Sequence, residues 1–259
     1  GAVSITGSTT GGAYGVRVDR STITASNGLT LDSATGGSRM ALQGATLTAS
    51  GGDMLIKSKG ISNEGPDFFQ SLLIEDVAGA RSNIRNTGSG NITVDAELTN
   101  HTNASLAGTP SALLVRNSDI TTSAGTISLT GKTGISGDVY GTSGVMLASG
   151  ATVTGAGNVS VTGATGATSY GGSKGITIAT GAQVSSSGGN VAVSGTSSSP
   201  LTFSGEGLRL SGKLAAAAGT VTITGDATVT GDPPTVPGQA TNPPRPGDVG
   251  TGTGLWLDT

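Results

Sequence analysis

The side chains with the most distinctive binding chemistry are aromatic and basic, and they fall where the spacing of the chain is least regular. They are Lys57, Lys59, Phe68, Phe69, Tyr140, Tyr170 and Arg245. Aromatic rings and cationic groups on projecting segments suit contact with a carbohydrate or a protein surface. A phenylalanine pair such as Phe68 and Phe69 more often forms a small apolar core that fixes a loop to its support. We predict that the set binds a partner, with loop anchoring as the alternative for the two phenylalanines.

The residues that catalysis needs are sparse. His101 is the single histidine and lies in a polar stretch, the chain has no cysteine, and no Ser-His-Asp or metal-ligand spacing occurs. Carboxylates are scattered, apart from the adjacent Glu75 and Asp76. The sequence therefore predicts a protein that is not an enzyme and has no cofactor and no metal site. The alternative is a polysaccharide lyase or hydrolase that works in a groove beside the long connections.

Composition limits the kinds of partner. The chain has 259 residues, a net charge of −3 and a pI near 5.0. It has no cluster of Lys and Arg, which argues against nucleic acid or an anionic membrane surface. No apolar run approaches the ~20 residues of a membrane span, so we expect no membrane insertion. The absence of cysteine is either chance or typical of a secreted chain that crosses an oxidising compartment unfolded and avoids disulfides.

One motif organises the whole chain. Residues Asn158–Gly163 and Asn190–Gly195 are near copies, and each holds apolar residues at i and i+2, the period of a strand with one buried face. The inward pairs of this first strand are Val3/Ile5, Leu29/Leu31, Met54/Ile56, Ile92/Val94, Ile127/Leu129, Val159/Val161, Val191/Val193 and Val221/Ile223. Those of a second strand are Val16/Val18, Met40/Leu42, Leu72/Ile74, Leu113/Val115, Val145/Leu147, Ile176/Ile178, Leu208/Leu210 and Leu255/Leu257. A third strand has one inward residue, which is Ile23, Leu47, Ile84, Ile120, Val153, Val184 or Leu214.

A strand unit that repeats in this way must bury its apolar face on its own copies. Three short strands per turn, with small residues at the corners, predict an all-β, right-handed parallel β-helix of about eight turns. We expect residues 1–259 to form one continuous segment with a Val, Ile and Leu core, part of a longer array. The eighth copy ends before its third strand, and loop insertions collect at one corner.

A polar residue recurs immediately before the first strand. It is Asp53, Asn91, Asn158 or Asn190 in four copies, with Thr126 and Thr220 in two others. A row of such side chains could bind a ligand along one edge of the rod. Stacked side-chain amides also satisfy the backbone groups of a corner and one another. We interpret the row as a structural ladder.

The repeats differ in length mainly between the first and second strands. This connection is short in Thr6–Gly15 and Asp32–Arg39, longer in Lys57–Gln70, and longest in the proline-rich Thr224–Gly254. Insertions at one corner project from one edge of the rod, and binding surfaces are generally built on such loops. We therefore predict that a partner binds at this loop edge. We also expect some long connections to cover the outward residues of the second strand, which include Leu73, Leu114, Met146 and Trp256.

The repeat units resemble those of a known family. Gly157–Gly163 (GNVSVTG), Gly175–Ile178 (GITI) and Ala182–Gly189 (AQVSSSGG) are similar to repeats of filamentous-haemagglutinin-type adhesins, large Gram-negative exoproteins exported by two-partner secretion. The resemblance implies a β-helical shaft outside the cell or on its surface, and an outer-membrane transporter as partner during export. It also implies a role in adhesion, aggregation, biofilm formation or contact-dependent competition. The repeats here are longer than the family's usual unit, and a monomeric autotransporter passenger would have a similar sequence.

The expected function is therefore that of a non-enzymatic adhesin segment whose partner is a carbohydrate or protein on a host or bacterial surface. The alternative is a passive spacer of a contact-dependent competition exoprotein, which holds a distant tip away from the cell. Ice binding is a third alternative, because Thr-x-Thr recurs at Thr22–Thr24, Thr46–Thr48 and Thr152–Thr154. These files are interrupted at Asp119 and Lys213, and β-propensity alone explains threonine on a strand surface.

Overall fold

The structure is a computed structural model that describes residues 1–9, 13–35, 37–61, 70–99, 110–134, 142–166, 172–199, 205–229 and 253–257. Within these ranges the chain forms twenty-three β-strands and no helix. Consequently, none of the described residues belongs to a helix long and apolar enough to cross a membrane.

The strands form three sheets, which we call A, B and C. Sheet A contains β1 (Val3–Thr6), β4 (Leu29–Ser33), β7 (Met54–Ile61), β10 (Ile92–Thr99), β13 (Ile127–Gly134), β16 (Val159–Thr165), β19 (Val191–Ser199) and β22 (Val221–Val229). Sheet B contains β2 (Tyr14–Asp19), β5 (Arg39–Gln43), β8 (Gln70–Glu75), β11 (Ser111–Arg116), β14 (Ser143–Leu147), β17 (Lys174–Ile178), β20 (Glu206–Leu210) and β23 (Thr253–Leu257). Sheet C contains β3 (Thr22–Ala25), β6 (Thr46–Ala49), β9 (Ser82–Asn86), β12 (Ser118–Thr122), β15 (Thr152–Gly155), β18 (Gln183–Ser186) and β21 (Lys213–Ala216).

The order of the strands makes the chain a parallel β-helix. Successive strands enter sheets A, B and C in rotation, and each strand pairs in parallel with its equivalent in the next turn, as β1 does with β4 and β4 with β7. There are eight turns, which we number by their sheet A strand, and turn 8 has no described strand in sheet C. The predicted fold class is therefore confirmed.

The predicted inward pairs form continuous apolar columns. Val3 lies beside Leu29 and Ile5 beside Leu31, and the same register continues through the stack. Inside the stack these side chains are fully buried, as Leu31 and Val161 illustrate. Removing one aliphatic side chain from water stabilises the fold by ~1.5–3 kcal/mol, so the columns supply the main driving force for stacking.

The sheet A strands extend further than the sequence analysis predicts. Lys57 and Lys59 lie on β7. The prediction that the connection of turn 3 begins at Lys57 and projects these two lysines from the rod is therefore wrong. The alternate residues of β7 explain the extension, because they pack and hydrogen-bond against β8. Ser58 Oγ donates to the carbonyl of Ser71 at 2.8 Å, and the N–H of Gly60 donates to Ser71 Oγ at 2.7 Å. The added half of each long strand therefore lies against sheet B.

The outer face of sheet B carries a small second apolar cluster. It consists of Leu73, Leu114 and Ala148, with Met146 packed against them. Leu73 and Leu114 are only 9% and 8% exposed although they alternate with the inward residues of their strands. This face is thus shielded from water at these turns. The expectation that long connections cover it concerns residues outside the described ranges and stays a prediction.

Candidate functional site

The two predicted lysines belong to a mixed-charge surface on the outer face of sheet A. Lys57 is aligned with Asp32 of β4 on one side and Asp95 of β10 on the other. Lys59 is aligned with Glu97, and its Nζ lies 3.1 Å from a carboxylate oxygen of that residue. Opposite charges that face each other across strands attract by roughly 0.2–1 kcal/mol. Carboxylates of the same sheet therefore offset both lysines.

The other predicted binding residues are Phe68, Phe69, Tyr140, Tyr170 and Arg245, and they lie outside the described residues. Their strand neighbours locate the connections to which they belong. Each connection leaves the end of a sheet A strand and returns at the start of the sheet B strand of the same turn. All five residues therefore belong to connections of one kind, and their part in binding stays a prediction.

The polar residues that precede the sheet A strands bond from turn to turn. Asp53 Oδ1 accepts hydrogen bonds from the backbone N–H of Asn91 at 2.8 Å and from Asn91 Nδ2 at 3.1 Å. Asn91 Oδ1 accepts in turn from the backbone N–H and the Oγ1 of Thr126, both at 2.9 Å. Each side chain thus accepts a hydrogen bond from a backbone N–H group of the next turn. These N–H groups lie just before the sheet A strands begin.

The same bonds recur later in the stack. Asn158 Oδ1 accepts from the N–H of Asn190 at 2.8 Å, and Asn190 Oδ1 accepts from the N–H of Thr220 at 2.9 Å. The sequence analysis missed a further member, because Asn27 stands one position earlier and accepts from the N–H of Gly52 at 3.0 Å. These acceptors are used within the protein, which favours the structural interpretation over a row of ligand-binding groups.

The acidic pair noted in the sequence is part of a network at the corner between sheets B and C. Glu75 is largely buried, and its Oε1 accepts from Gln43 Nε2 at 2.8 Å. Its other carboxylate oxygen accepts from Arg116 Nη2. These three residues come from aligned positions of β5, β8 and β11. Both carboxylate oxygens of Glu75 thus accept hydrogen bonds from the neighbouring turns, so the side chain joins three turns of the stack.

The network continues through a second acid and its arginine. Arg81 donates to Asp119 through Nε at 2.8 Å and Nη2 at 2.7 Å, and to the carbonyl of Gly150 at 2.8 Å. The hydrogen bonds from Arg81, more than its charge, hold the pKa of Asp119 below its ordinary value. Asn117 Nδ2 donates to Asp76 Oδ1 at 3.1 Å. We call this network the charged corner, and it consists of Gln43, Glu75, Asp76, Arg81, Arg116, Asn117 and Asp119.

Glycines form a second feature that the sequence analysis missed, at the junction of sheets A and B. A Cβ added to Gly163 would lie 2.1 Å from the carbonyl oxygen of Gly175, and one added to Gly195 would lie 2.0 Å from that of Gly207. No side chain fits at such distances, so the two backbones are in direct contact. We call these contacts the glycine seam, and its pairs are Gly131–Gly144, Gly163–Gly175, Gly195–Gly207 and Gly225–Gly254.

Two basic side chains near the variable connections are partly or wholly buried. Arg39 is fully buried, and it donates from Nε to the carbonyl of Gln70 at 2.9 Å and from Nη2 to the hydroxyl of Tyr14 at 3.0 Å. Burial lowers the pKa of Arg39, and Tyr14 opposes this shift. Burial also lowers the pKa of Lys174, whose Nζ donates to the carbonyl of Gly172 at 2.9 Å. Both cations are therefore engaged by the fold.

The described part of the chain holds no group of three or more His, Asp or Glu side chains that could bind a metal ion. Its polar clusters are bonded internally, and this arrangement is typical of a structural surface.

Comparison with protein-family models, with curated proteins and with solved structures returned no match. The predicted family and function thus depend on the repeat pattern itself.

Proposed function

We propose that this chain is the shaft segment of a non-enzymatic bacterial adhesin of the filamentous-haemagglutinin type, located outside the cell or on its surface. The observation that supports the proposal is that each turn combines a constant set of strands with one connection of variable length. The described polar ladder and ion pairs join residues of the rod to one another. The connection from sheet A to sheet B is the part of the turn whose length varies most. A constant shaft with one variable edge is the architecture expected of a surface-exposed binding rod.

The partner that suits this edge is a carbohydrate or a protein on a host or bacterial surface. Many outward residues of sheet A are serine and threonine, as at Ser160 and Thr162 of β16, and their short side chains make a shallow surface. Such surfaces give little affinity per unit of buried area. The aromatic and basic residues of the connections are better suited, and an outer-membrane transporter is the partner expected during export.

Shortening the connections tests the proposal directly. Residues 62–69, 135–141 and 230–252 are replaced, singly and together, by the short connection of turn 2, Ala34–Ser38. Binding to a glycan array, to whole cells and to sibling bacteria is then compared with that of the parent chain. We expect the triple replacement to abolish binding while the circular dichroism spectrum stays that of a β-protein.

The control for this experiment is Lys132→Ala, which changes a charge on the outer face of β13 and leaves every connection intact. It should bind like the parent chain. Binding that persists in a folded triple replacement would exclude these three connections as the binding surface.

A passive spacer is the second candidate, and the internal neutralisation of the shaft favours it. Lys59 pairs with Glu97, and Glu75 with Arg116, so these charges are neutralised by neighbours on the shaft. A spacer should respond to length and not to the identity of its turns. Deleting 158–189 removes one turn and joins equivalent positions. The quantity to measure is the distance from the cell at which the parent protein makes contact. If the deletion shortens this distance and replacement of the connections does not change it, the spacer is the correct function.

The non-enzymatic part of the proposal has its own test. The chain is incubated with acidic and neutral polysaccharides, and product formation is followed. We expect no cleavage. Glu206 is the acid to mutate if cleavage occurs, because it is buried near a variable connection and its Oε2 accepts no hydrogen bond from the described residues. Reproducible cleavage that Glu206→Gln abolishes would make the chain an enzyme.

A further inference from the structure

Two neighbouring strands of sheet A carry opposite charges at matching positions of their outward faces. β7 presents Lys57 and Lys59, and β10 presents Asp95 and Glu97 at the aligned positions. The side chains reach solvent, since Lys59 and Glu97 are 49% and 42% exposed and Asp95 is also exposed. Turns 3 and 4 have further turns on both sides. A row of cations thus lies beside a row of anions on an open face inside the stack.

These two rows complement each other under a two-fold rotation. Aligned residues lie at the same position along their strands, and the parallel register continues from β4 to β16. We consider two copies whose sheet A faces meet, with a two-fold axis that runs along the strands midway between β7 and β10. This axis sets Lys57 of one copy against Asp95 of the second copy, and Lys59 against Glu97 of the second copy. Each contact occurs twice, because the two copies are equivalent.

We propose that two copies of this chain bind through the outer faces of sheet A at turns 3 and 4, with their long axes antiparallel. A two-fold axis along the rod would make the rods parallel and set each turn against itself. The lysines of β7 would then face lysines, and the carboxylates of β10 would face carboxylates. Like charges that face each other disfavour a contact, so the charge pattern selects the antiparallel arrangement.

The positions around the charges fit the same arrangement. Leu55 of β7 faces Thr93 of the second copy, which places a methyl group against an apolar side chain. Turn 2 faces turn 5, so that Asp32 meets Thr130 of the second copy. Turn 1 faces turn 6, and the outward residues of β1 and β16 are uncharged. Among the described residues of these six turns, no like charges face each other.

The size of the face predicts a weak contact. Six facing strands at ~4.8 Å each give about 29 Å along the rod, and strands of four to eight residues give about 13–26 Å across it. The face of about 600 Å² per copy is smaller than the ~800 Å² of a standard interface. The charges therefore determine the arrangement more than the strength of the dimer. A segment that binds this weakly is lost in the washes of a cell-binding assay, so the dimer must be measured in solution.

The antiparallel arrangement identifies the source of the second copy, and this step alone rests on the proposed location at the cell surface. Rods that project from one cell point in the same direction, whereas antiparallel rods that face each other come from two cells. The contact would therefore join neighbouring cells that carry the same protein and support their aggregation. The connections between sheets A and B take no part in it.

The test reverses one row of charges at a time. Lys57→Asp makes both rows acidic at this position, and Asp95→Lys makes both rows basic. Sedimentation equilibrium is measured from low micromolar to millimolar protein at low salt. We expect the parent chain to show a monomer–dimer equilibrium and each single variant to raise its Kd by about tenfold or more. An equal mixture of the two variants should regain the parent Kd, because opposite charges face each other again in the heterodimer.

Two controls separate charge pairing from other effects of the substitutions. The double variant Lys57→Asp/Asp95→Lys keeps the net charge and exchanges the rows, so it should dimerise like the parent chain. Arg85→Glu changes the net charge as Lys57→Asp does, but on the exposed outward face of sheet C in the same turn. It should also dimerise like the parent chain.

Three results would overturn the proposal. They are a parent chain that stays monomeric at millimolar concentration, single variants that dimerise like the parent chain, and a mixture that associates no better than its components. The chain with three shortened connections should still dimerise in solution. Loss of partner binding at the loop edge and loss of this dimer are therefore separate outcomes.

Discussion

Turns 3 and 4 differ from turns 5–8 in the chemistry with which sheets A and B meet. In turn 3, Ser58 and Ser71 share hydrogen bonds between the two sheets, and in turn 4 the equivalent residues, Ala96 and Ala112, are fully buried. In turns 5–8 this place is taken by the glycine seam, where backbone lies directly on backbone. We call turns 1–4 the first half of the rod and turns 5–8 the second half. The residues of the charged corner all lie in the first half, and their last contact is the carbonyl of Gly150 in turn 5.

The difference shows which parts of a turn are fixed and which are free. The apolar columns and the polar ladder run through both halves, because every turn must bury its core and satisfy its corner. The junction of sheets A and B is built from serine in turn 3, alanine in turn 4 and glycine in turns 5–8. Glycine allows the closest approach, whereas serine and alanine fill the space with side chains. The two halves should therefore respond alike to changes in the columns and differently to changes at the junction.

The largest expected effect is the same in both halves. Val161→Asp in turn 6 and Ile56→Asp in turn 3 each place a carboxylate in a fully buried column. An unpaired charge there should cost about 4 kcal/mol or more of the free energy of unfolding. Denaturant unfolding followed by circular dichroism measures the loss, with Ser160→Asp on the outer face as control. A variant as stable as its parent would show that the column is assigned to the wrong residues.

The next effect should separate the halves. Gly163→Ala puts a Cβ at 2.1 Å from the carbonyl oxygen of Gly175, and this backbone atom cannot turn aside as the end of a flexible side chain could. Overpacking of this kind costs about 3 kcal/mol. Ser58→Ala, in the same column of turn 3, only removes hydrogen bonds and should cost about 1 kcal/mol. Equal losses of unfolding free energy for the two variants would remove the distinction between the two junctions.

The sequence predicted the fold because the spacing of apolar residues determines it. Pairs such as Val159 and Val161 mark a buried strand face, and their recurrence requires stacking. The presence of glycine does not by itself predict the glycine seam, because glycine is also the residue expected at the corners of the turns. The signal was present, however, since Gly163 follows Val161 by two positions and Gly175 directly precedes Ile176, and this arrangement recurs in turns 5–8.

The charged corner could not be predicted in the same way. Glu75 and Asp76 are visible as an acidic pair, but their partners come from other turns and depend on register. Arg116 meets Glu75 because β8 and β11 align, and an insertion between β8 and β9 brings Arg81 to Asp119. The sequence predicts a loop at Lys57 and Lys59 because the pattern after Ile56 loses its large apolar residues, although the strand continues.

Acid should destabilise the first half selectively. The pKa of Asp119 is lowered by Arg81, so its contribution is complete above the unfolded-state pKa and is lost as the pH falls through the lower folded-state value. The aligned residues of turns 5 and 6, Thr152 and Gln183, are neutral. Asp119→Asn should therefore cost about 1 kcal/mol at neutral pH and nothing once the pH is below both pKa values.

Amide hydrogen exchange as a function of pH measures this effect turn by turn. The expected result is faster opening of turns 3 and 4 in the parent chain on acidification, with a smaller change in Asp119→Asn. The contrary result is a loss of protection that is equal in both halves and unaffected by the substitution.

The polar ladder should act equally in both halves, because it crosses them. Asn190→Ala removes the acceptor for Thr220, and Asp53→Ala removes the acceptor for Asn91. Water can replace either exposed bond, so each change should cost only about 0.5–1 kcal/mol. Thermal unfolding of the two variants should give similar shifts. A loss several times larger for one of them would show that its ladder residue supports more than its own turn.

The smallest effect is expected for the surface ion pair of the first half. Lys59 lies 3.1 Å from Glu97, but both side chains are about half-exposed, and Glu97 is also aligned with Lys132 of β13. Loss of one lysine therefore leaves the carboxylate with another cation beside it. A double-mutant cycle with Lys59→Ala and Glu97→Ala should give a coupling energy below about 0.5 kcal/mol, lower still at high salt. A coupling above about 1 kcal/mol that resists salt would mean that charge, and not only the junction of sheets A and B, distinguishes the first half of the rod.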